Sequence, residues 1–168
     1  MLGLHSKNKT MKINKLYTIG YGNRTLENFI SLLQKYDIKI LVDVRTTPFS
    51  RFRPQFNKLS IMKTLLDKNI QYVHKGAELG GKPAEIKNVI YEVYNIYHEK
   101  RKSIPYLQGI SFLEQGLEMG CKIAIMCCEL DYKNCHRYSL VGEDISNRGW
   151  GVLHIDKNGG LVNHKGLF

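Results

Sequence analysis

The chain is short of acids. Against 25 lysines and arginines it carries only 15 aspartates and glutamates, a formal net charge of +10 with a pI near 9.4. A positive field of that size concentrates anions such as nucleic acid or phosphate esters, so it is a statement about partners. Long apolar runs are also missing: none approaches the ~18 residues of a membrane span, which excludes a membrane partner from the expectation. The first fifteen residues, MLGLHSKNKTMKINK, lack the apolar core of a secretory signal and read as a polar, basic tail. A soluble, cytoplasmic protein is therefore expected. Internal repeats and low-complexity linkers are absent too, and with 168 residues the chain has the length of one ordinary domain. The expected organisation is a tail over 1–15 and a single α/β domain over 16–168, with Met11 opening a second plausible start. Cysteine is scarce, at four residues, and a cytosolic chain with a full core has no need of disulfides, so free thiols are expected.

What is present alternates. LYTIG (Leu16–Gly20) and IKILVDV (Ile38–Val44) are short apolar, β-branched runs of the kind buried in parallel sheets. Between them TLENFISLLQKY puts Leu26, Phe29, Ile30, Leu32 and Leu33 on one helical face, with Thr25 as N-cap and Glu27 in the first turn. Leu59–Lys68 continues as helix, Gln71–His74 as strand, Pro83–Lys102 as helix with Val89, Ile90, Val93, Tyr94 and Tyr97 on one face. Pro105 breaks the chain, a helix resumes over Ile110–Met119 and stops at Gly120, and Lys122–Met126 is a fourth strand. Arg137–Asn147 reads as helix, Gly151–Ile155 as the last long strand, and DKNGGLVNH as a hairpin turn. This rhythm predicts a three-layer α/β sandwich with a mainly parallel central sheet, Rossmann-like, because parallel neighbours need crossovers that cover both faces. In such sheets ligands bind at the carboxyl ends of the strands. Tyr21, Gly22, Asp43, Arg45, His74 and Cys127 all fall there, so they are expected to converge on one crevice.

Two stretches carry chemistry. In IAIMCCELDYKNCHRYSL, Cys127 follows a buried strand, Cys128 points the opposite way if the strand persists, and Cys135 falls where the next helix begins. Unpaired amides and the positive end of the helix dipole favour a thiolate at Cys135, and Arg137 adds to that. Glu129 is a candidate acid or base, or a carboxylate paired with Arg137; His136 is a candidate proton carrier. Zinc has to be weighed, since these are soft donors. The spacing argues against it: Cys127 and Cys135 are separated by seven residues, no second pair exists, and the adjacent Cys127 and Cys128 cannot easily share one ion. A phosphatase-like Cys-x5-Arg loop is also excluded, because Lys133 stands six after Cys127. No metal and no cofactor is expected. The other stretch, RTTPFSRFRPQFNK, holds Arg45, Arg51, Arg53 and Lys58 without an acid, and alternates them with Phe52, Gln55, Phe56 and Asn57. Such a loop suits phosphates on arginine forks and bases on phenylalanine, although any one Phe is more often docked on the core. Glu78 and the pair Gly80-Gly81 follow His74 near the same crevice.

Taken together, TIGYGNRTLENFISLL, LVDVRTTPFSRFRPQFN, YVH with ELGG, and CCELDYKNCHR resemble the family known as domain of unknown function 488, over about Tyr17 to Ile155. The resemblance implies an α/β fold and puts the family's cysteine and glutamate on Cys127 and Glu129, and its Cys-His-Arg on Cys135, His136 and Arg137. It names no reaction. The expectation is a basic crevice that binds an anionic ligand, nucleotide or nucleic acid, through Tyr21, Gly22, Arg45, Arg51, Arg53, Gln55, Asn57, His74 and Glu78. Catalysis, where there is any, would rest on Cys127, Glu129, Cys135, His136, Arg137 and Asp43. A non-catalytic binding module with structural or redox-responsive cysteines, and a metal-binding protein, are the alternatives.

Overall fold

A computed structural model describes residues 13–81 and 90–165, and of 90–94 the backbone alone. Lys7, Lys9 and Lys12 of the expected tail, and the stretch from Pro83 to Val89 of the expected helix, lie outside the described residues. Strand β1 runs Lys15–Gly20, one residue into that tail, and β2 runs Ile40–Asp43, β3 Gln71–His74, β4 Ile123–Cys127, β5 Gly151–Ile155 and β6 Leu161–Asn163. They form one sheet in the order β3-β2-β4-β1-β5-β6, parallel except for the β5–β6 hairpin. Every residue of β4 is buried, which explains its unbroken apolar run: a central strand covered on both faces has no polar side to alternate with.

Helix α1 (Leu26–Lys35) starts where expected, with the Asn28 amide donating to Thr25 Oγ1 at 3.1 Å, and buries Phe29, Ile30, Leu32 and Leu33. With α2 (Lys58–Leu66) it covers one face of the sheet. The core there contains Ile19, Leu41, Phe56, Ile61, Leu65, Ala124 and Met126. The short α3 (Gly76–Leu79), α4 (Ile90–Lys102), α5 (Ile104–Glu118) and α6 (Glu143–Asn147) follow β3 and β4. Side chains of α5 and α6 pack with Val42, Val44, Ile123, Ile125 and Cys127 on the opposite face. The result is the three-layer α/β sandwich that the alternation predicts.

Two elements differ from their expected form. Helix α5 starts at Ile104, not Ile110: Pro105 sits in its first turn, where its missing N–H and fixed φ cost nothing, and Ser103 Oγ accepts from the Tyr106 amide. The earlier start lets Tyr106 join Ile110, Leu113 and Leu117 in the core. The segment after Cys135 is not one regular helix. Arg137–Gly142 winds as a π turn before α6 takes over, and a Cβ on Gly142 would come within 2.6 Å of the Arg137 carbonyl oxygen.

The order of strands fixes where a ligand can sit. From β1 the chain crosses to β2 on one side; from β4, which is hydrogen-bonded to β1, it crosses to β5 on the other. Neighbouring strands whose connections diverge make the switch point of a doubly wound sheet, and its crevice lies just beyond Gly20 and Cys127.

Candidate functional site

Period-two alternation sorts the polar residues at this end of the sheet onto different faces. Val42 and Val44 pack on the α5 side, and Leu41 on the α1/α2 side, so Asp43 belongs to the latter. Cys127 packs on the α5 side with Cys135. The crevice expected to gather Asp43, Arg45 and the cysteines is therefore split by the sheet into two clusters.

The first cluster centres on a fully bonded carboxylate. Asp43, fully buried, receives Arg45 Nε at 2.9 Å, Arg45 Nη2 at 2.6 Å, the Arg45 amide at 3.1 Å and the Tyr72 hydroxyl at 2.6 Å. Arg45 Nη2 also donates to the Phe56 carbonyl, and its guanidinium lies 5.3 Å from the centre of the Tyr21 ring, which stacks on Phe56. Burial works to lower the Arg45 pKa, but the bonds and charge of Asp43 more than reverse it; burial and the same carboxylate push the Tyr72 phenol up. Tyr21 is buried and serves as a plate beneath Arg45. His74 Nε2 sits 2.9 Å from the Arg45 carbonyl, and Glu78 pairs with Lys75 at 3.0 Å. Gly22, at φ +45, lets the chain pass Leu130, whose Cβ would lie 2.5 Å from any added side chain.

The second cluster is open in its bonding. Cys127 Sγ and Cys135 Sγ stand 3.9 and 3.8 Å from His136 Nδ1, and the three donor atoms lie within 4.8 Å of one another. Cys135 is the last extended residue before the π turn, and its carbonyl accepts from the Tyr138 and Ser139 amides, so its sulfur does sit at a helix start. A hydrogen bond from Cys127 outweighs burial, and with the charge and amide of Arg137 it draws the Cys135 pKa below the ordinary thiol value. Cys128 goes the other way: its bond with Cys127, then burial, raises it, so it stays a thiol and packs between the two cores. Glu129 is exposed and does not pair with Arg137. Arg137, wholly buried, instead donates to the Glu129 and Leu130 backbone carbonyls at 2.5 and 3.1 Å. It thereby clamps the loop that joins Cys127 to Cys135. The Tyr97 phenol, on α4, is raised by burial, against its bond with Ser139, and further by the nearby Cys135 and Cys127, so a residue expected only on a helix face stands beside the sulfurs.

Gly80 and Gly81 connect the open cluster to the basic loop. A Cβ on Gly81 would fall 2.4 Å from His136 Cγ, and one on Gly80 would fall 2.4 Å from Thr46 Oγ1. Both backbones must come that close, so the pair is a packing requirement rather than a turn signal. The loop itself divides its aromatics. Phe56 is fully buried against Tyr21 and Phe29, while Phe49 and Phe52 are 65% and 89% exposed. Arg51 is exposed, and Arg53 and Gln55 are half-buried. Asn57 Oδ1 accepts from the Ser50 amide at 2.6 Å, and Ser50 Oγ from the Arg53 amide at 3.1 Å, so Asn57 shapes the loop from within.

Sequence reasoning also missed a third buried set. Thr18 Oγ1, His154 Nδ1, His154 Nε2, His164 Nδ1, His164 Nε2 and Glu143 Oε2 form a chain of contacts of 2.7, 3.0 and 2.9 Å. Tyr132 stacks on His154 at 4.5 Å. The hairpin was legible, but which histidines it brings together depends on its register, His154 opposite Val162, with His164 following directly after β6.

A doubly wound α/β protein with a thiol–imidazole centre at the carboxyl end of its sheet, bordered by an exposed basic and aromatic loop, is the class that fold and site define. Within that class, the chain belongs to the family described as domain of unknown function DUF488, which matches residues 25–142. That span, narrower than the resemblance read from the sequence, runs from the N-cap of α1 through the π turn and holds the loop and both clusters apart from Tyr21 and Gly22. No curated protein and no solved structure matches the chain.

Proposed function

We propose that the protein binds a phosphate-bearing ligand, single-stranded nucleic acid or nucleotide, on the 45–57 loop and acts on it at the Cys127, Cys135 and His136 centre. The exposure of Phe49 and Phe52 carries the reading. A loop that merely connects would dock its phenylalanines, as it docks Phe56; two left in water beside Arg51 are suited to stack bases while the guanidinium neutralises phosphate. Three buried nitrogens at the same end of the sheet lack a partner among the described residues: Arg45 Nη1, His136 Nε2 and Arg137 Nε. Unfilled donors of this kind favour an acceptor-rich ligand. In this reading Cys135 carries the thiolate and Glu129, exposed two residues beyond Cys127, moves a proton. The near-complete burial of Cys127 and Cys135, at 5% and 4% exposed, favours the second reading, a binding module whose cysteines take no part in turnover.

Binding of a labelled single-stranded oligonucleotide across a salt series tests the common part. Affinity should fall with salt with a slope of roughly −0.7 per phosphate contacted, and replacing Arg51 and Arg53 by Ala should flatten that slope by about one contact or more. A wild-type affinity indifferent to salt would sink it. The two readings separate on Cys135→Ser, which abolishes turnover in the first and leaves binding intact in both.

A further inference from the structure

The separation of seven residues between Cys127 and Cys135 rules out a zinc knuckle, but it counts neighbours along the chain. Folding supplies a third donor from the residue next to Cys135, and the relevant comparison is with the edges of a coordination polyhedron. A tetrahedral zinc with Zn–S of ~2.3 Å and Zn–N of ~2.05 Å spaces sulfur and nitrogen about 3.6 Å apart. His136 Nδ1 stands 3.9 Å from one sulfur and 3.8 Å from the other, with all three donor atoms inside 4.8 Å. A shift of a few tenths of an ångström brings the nitrogen to its distance from each sulfur, and the two sulfurs, within 4.8 Å of one another, have at most about 1 Å to close to reach the ~3.8 Å edge between thiolates on one ion.

We propose that Cys127, Cys135 and His136 hold a soft divalent cation, zinc by donor type, with three protein ligands and the fourth position open to solvent or to the ligand's own oxygen. The donors are pre-positioned by rigid elements: Cys127 ends the central strand, Cys135 opens the π turn, Arg137 clamps the loop between them, and Gly81 backs the imidazole ring. Two thiolates and one imidazole with a vacant fourth position are the arrangement of a reactive zinc site, in contrast to the four closed ligands of a structural one. On binding, each thiol still protonated releases its proton to water, His136 gives the ion its Nδ1 lone pair and keeps its proton on Nε2. Nε2 has no partner among the described residues. Ligating histidines are normally held by a second hydrogen bond, and lacking it weakens a site by about 10–100-fold, so the ion should exchange readily and be stripped by chelators. Neither Cys128, although it bonds to Cys127, nor Glu129 is among the clustered donors. The inference rests on reading this centre as the reacting site, and it is independent of the loop.

The test uses the full chain expressed and purified without chelators. About one zinc per chain is expected by elemental analysis, retained in Cys128→Ser and lost in Cys127→Ser, Cys135→Ser and His136→Ala. Because the cysteine variants can misfold, cobalt titration of the wild type provides an independent readout. Thiolate-to-cobalt charge-transfer bands should rise to one equivalent, and zinc should slow alkylation of two of the four thiols by iodoacetamide at least tenfold. Protein that arrives free of zinc, gives no charge-transfer band and alkylates equally fast with and without zinc overturns the proposal. So does a Cys127–Cys135 disulfide that, once reduced, still takes no cobalt. Oligonucleotide binding measured on the same samples separates the outcomes: intact, salt-dependent binding without metal uptake removes the ion and leaves the loop reading standing, and metal uptake without binding does the reverse.

Discussion

At the carboxyl end of the sheet the two faces hold polar groups in opposite ways. On the α1/α2 face every oxygen of Asp43 is occupied, twice over, by Arg45 and Tyr72. Across the sheet, the Cys127 and Cys135 sulfurs stand 3.9 and 3.8 Å from His136 Nδ1, long contacts both, and His136 Nε2 has no partner among the described residues. A buried carboxylate with both oxygens bonded rigidifies the fold around it, even though Arg45 Nη1 lacks a partner among the described residues; long contacts to sulfur leave the other centre far less tied down. The polar groups at one end of the sheet thus divide into an anchor and a site. Asp43 and Arg45, expected beside the cysteines, instead hold the root of the basic loop through the Phe56 carbonyl.

Breaking the anchor should have the largest effect. Asp43→Ala leaves a guanidinium buried without its counter-charge and strips Tyr72 of its acceptor, so the unfolding free energy should fall by about 3–5 kcal/mol in denaturant titration. A loss under ~1 kcal/mol would mean that the pair is dispensable and the contrast between the faces is misread.

The histidine chain tests the same principle by pH. Burial, then the charges of His164 and Arg137, lower the His154 pKa to about 3 from its ordinary 6.5. The folded state therefore binds fewer protons than the unfolded one between those values, and stability present above pH 6.5 is lost as pH falls toward 3. At pH 4 the loss is about 3 kcal/mol from this group alone. Around it stand Thr18, His164 with Glu143, Tyr132 and Tyr138, and none of them supplies a counter-charge directly to His154. Equilibrium unfolding at steps from pH 7 to 4 should show the slope in the wild type and a much shallower one in His154→Asn; equal slopes would assign the acid sensitivity elsewhere.

How much of this was legible follows from what kind of signal each feature leaves. Periodicity and caps are local, so α1 with Thr25, the buried strands, the hairpin and the position of Cys135 at a helix start could all be read along the chain. Which face a strand's odd residues take depends on the order of strands, and β4 lies between β2 and β1 only because of the long crossover from β3. Without that order Asp43 and Cys127, both at strand ends, could not be separated. The π turn, the Nδ1 of His136 between two sulfurs, and the meeting of His154 with His164 are likewise products of tertiary register. The glycine pair left a signal, but a turn and a close approach look alike in one sequence.

Gly81→Ala probes the join between site and loop. Its Cβ would fall 2.4–2.7 Å from His136 Cγ, Cβ and Nδ1, so the ring must move and Nδ1 with it. The stability cost should be about 1–3 kcal/mol, the price of overpacking. Its sharper consequence is at the centre, where cobalt uptake by the folded variant should weaken far more than in Gly120→Ala, a site whose φ of +80 is strained by any side chain but whose surroundings are open. Equal uptake in the two variants would show that His136 is not held by Gly81.

The smallest effect on stability belongs to the loop's tip. Phe52 is 89% exposed and Arg51 is exposed, so Phe52→Ala and Arg51→Ala should each change unfolding free energy by less than about 0.5 kcal/mol. Their weight falls on binding instead: losing Phe52 should cost about 1–3 kcal/mol of single-strand affinity at fixed salt, since each stacked base contributes that much, and losing Arg51 should lower the salt slope. A phenylalanine this exposed gains little from packing, and a ligand that covers its ring would recover the burial. If Phe52→Ala leaves affinity for oligonucleotide untouched while the fold is equally stable, the exposed aromatics do not stack bases, and the face beside the thiol–imidazole centre takes a ligand without them.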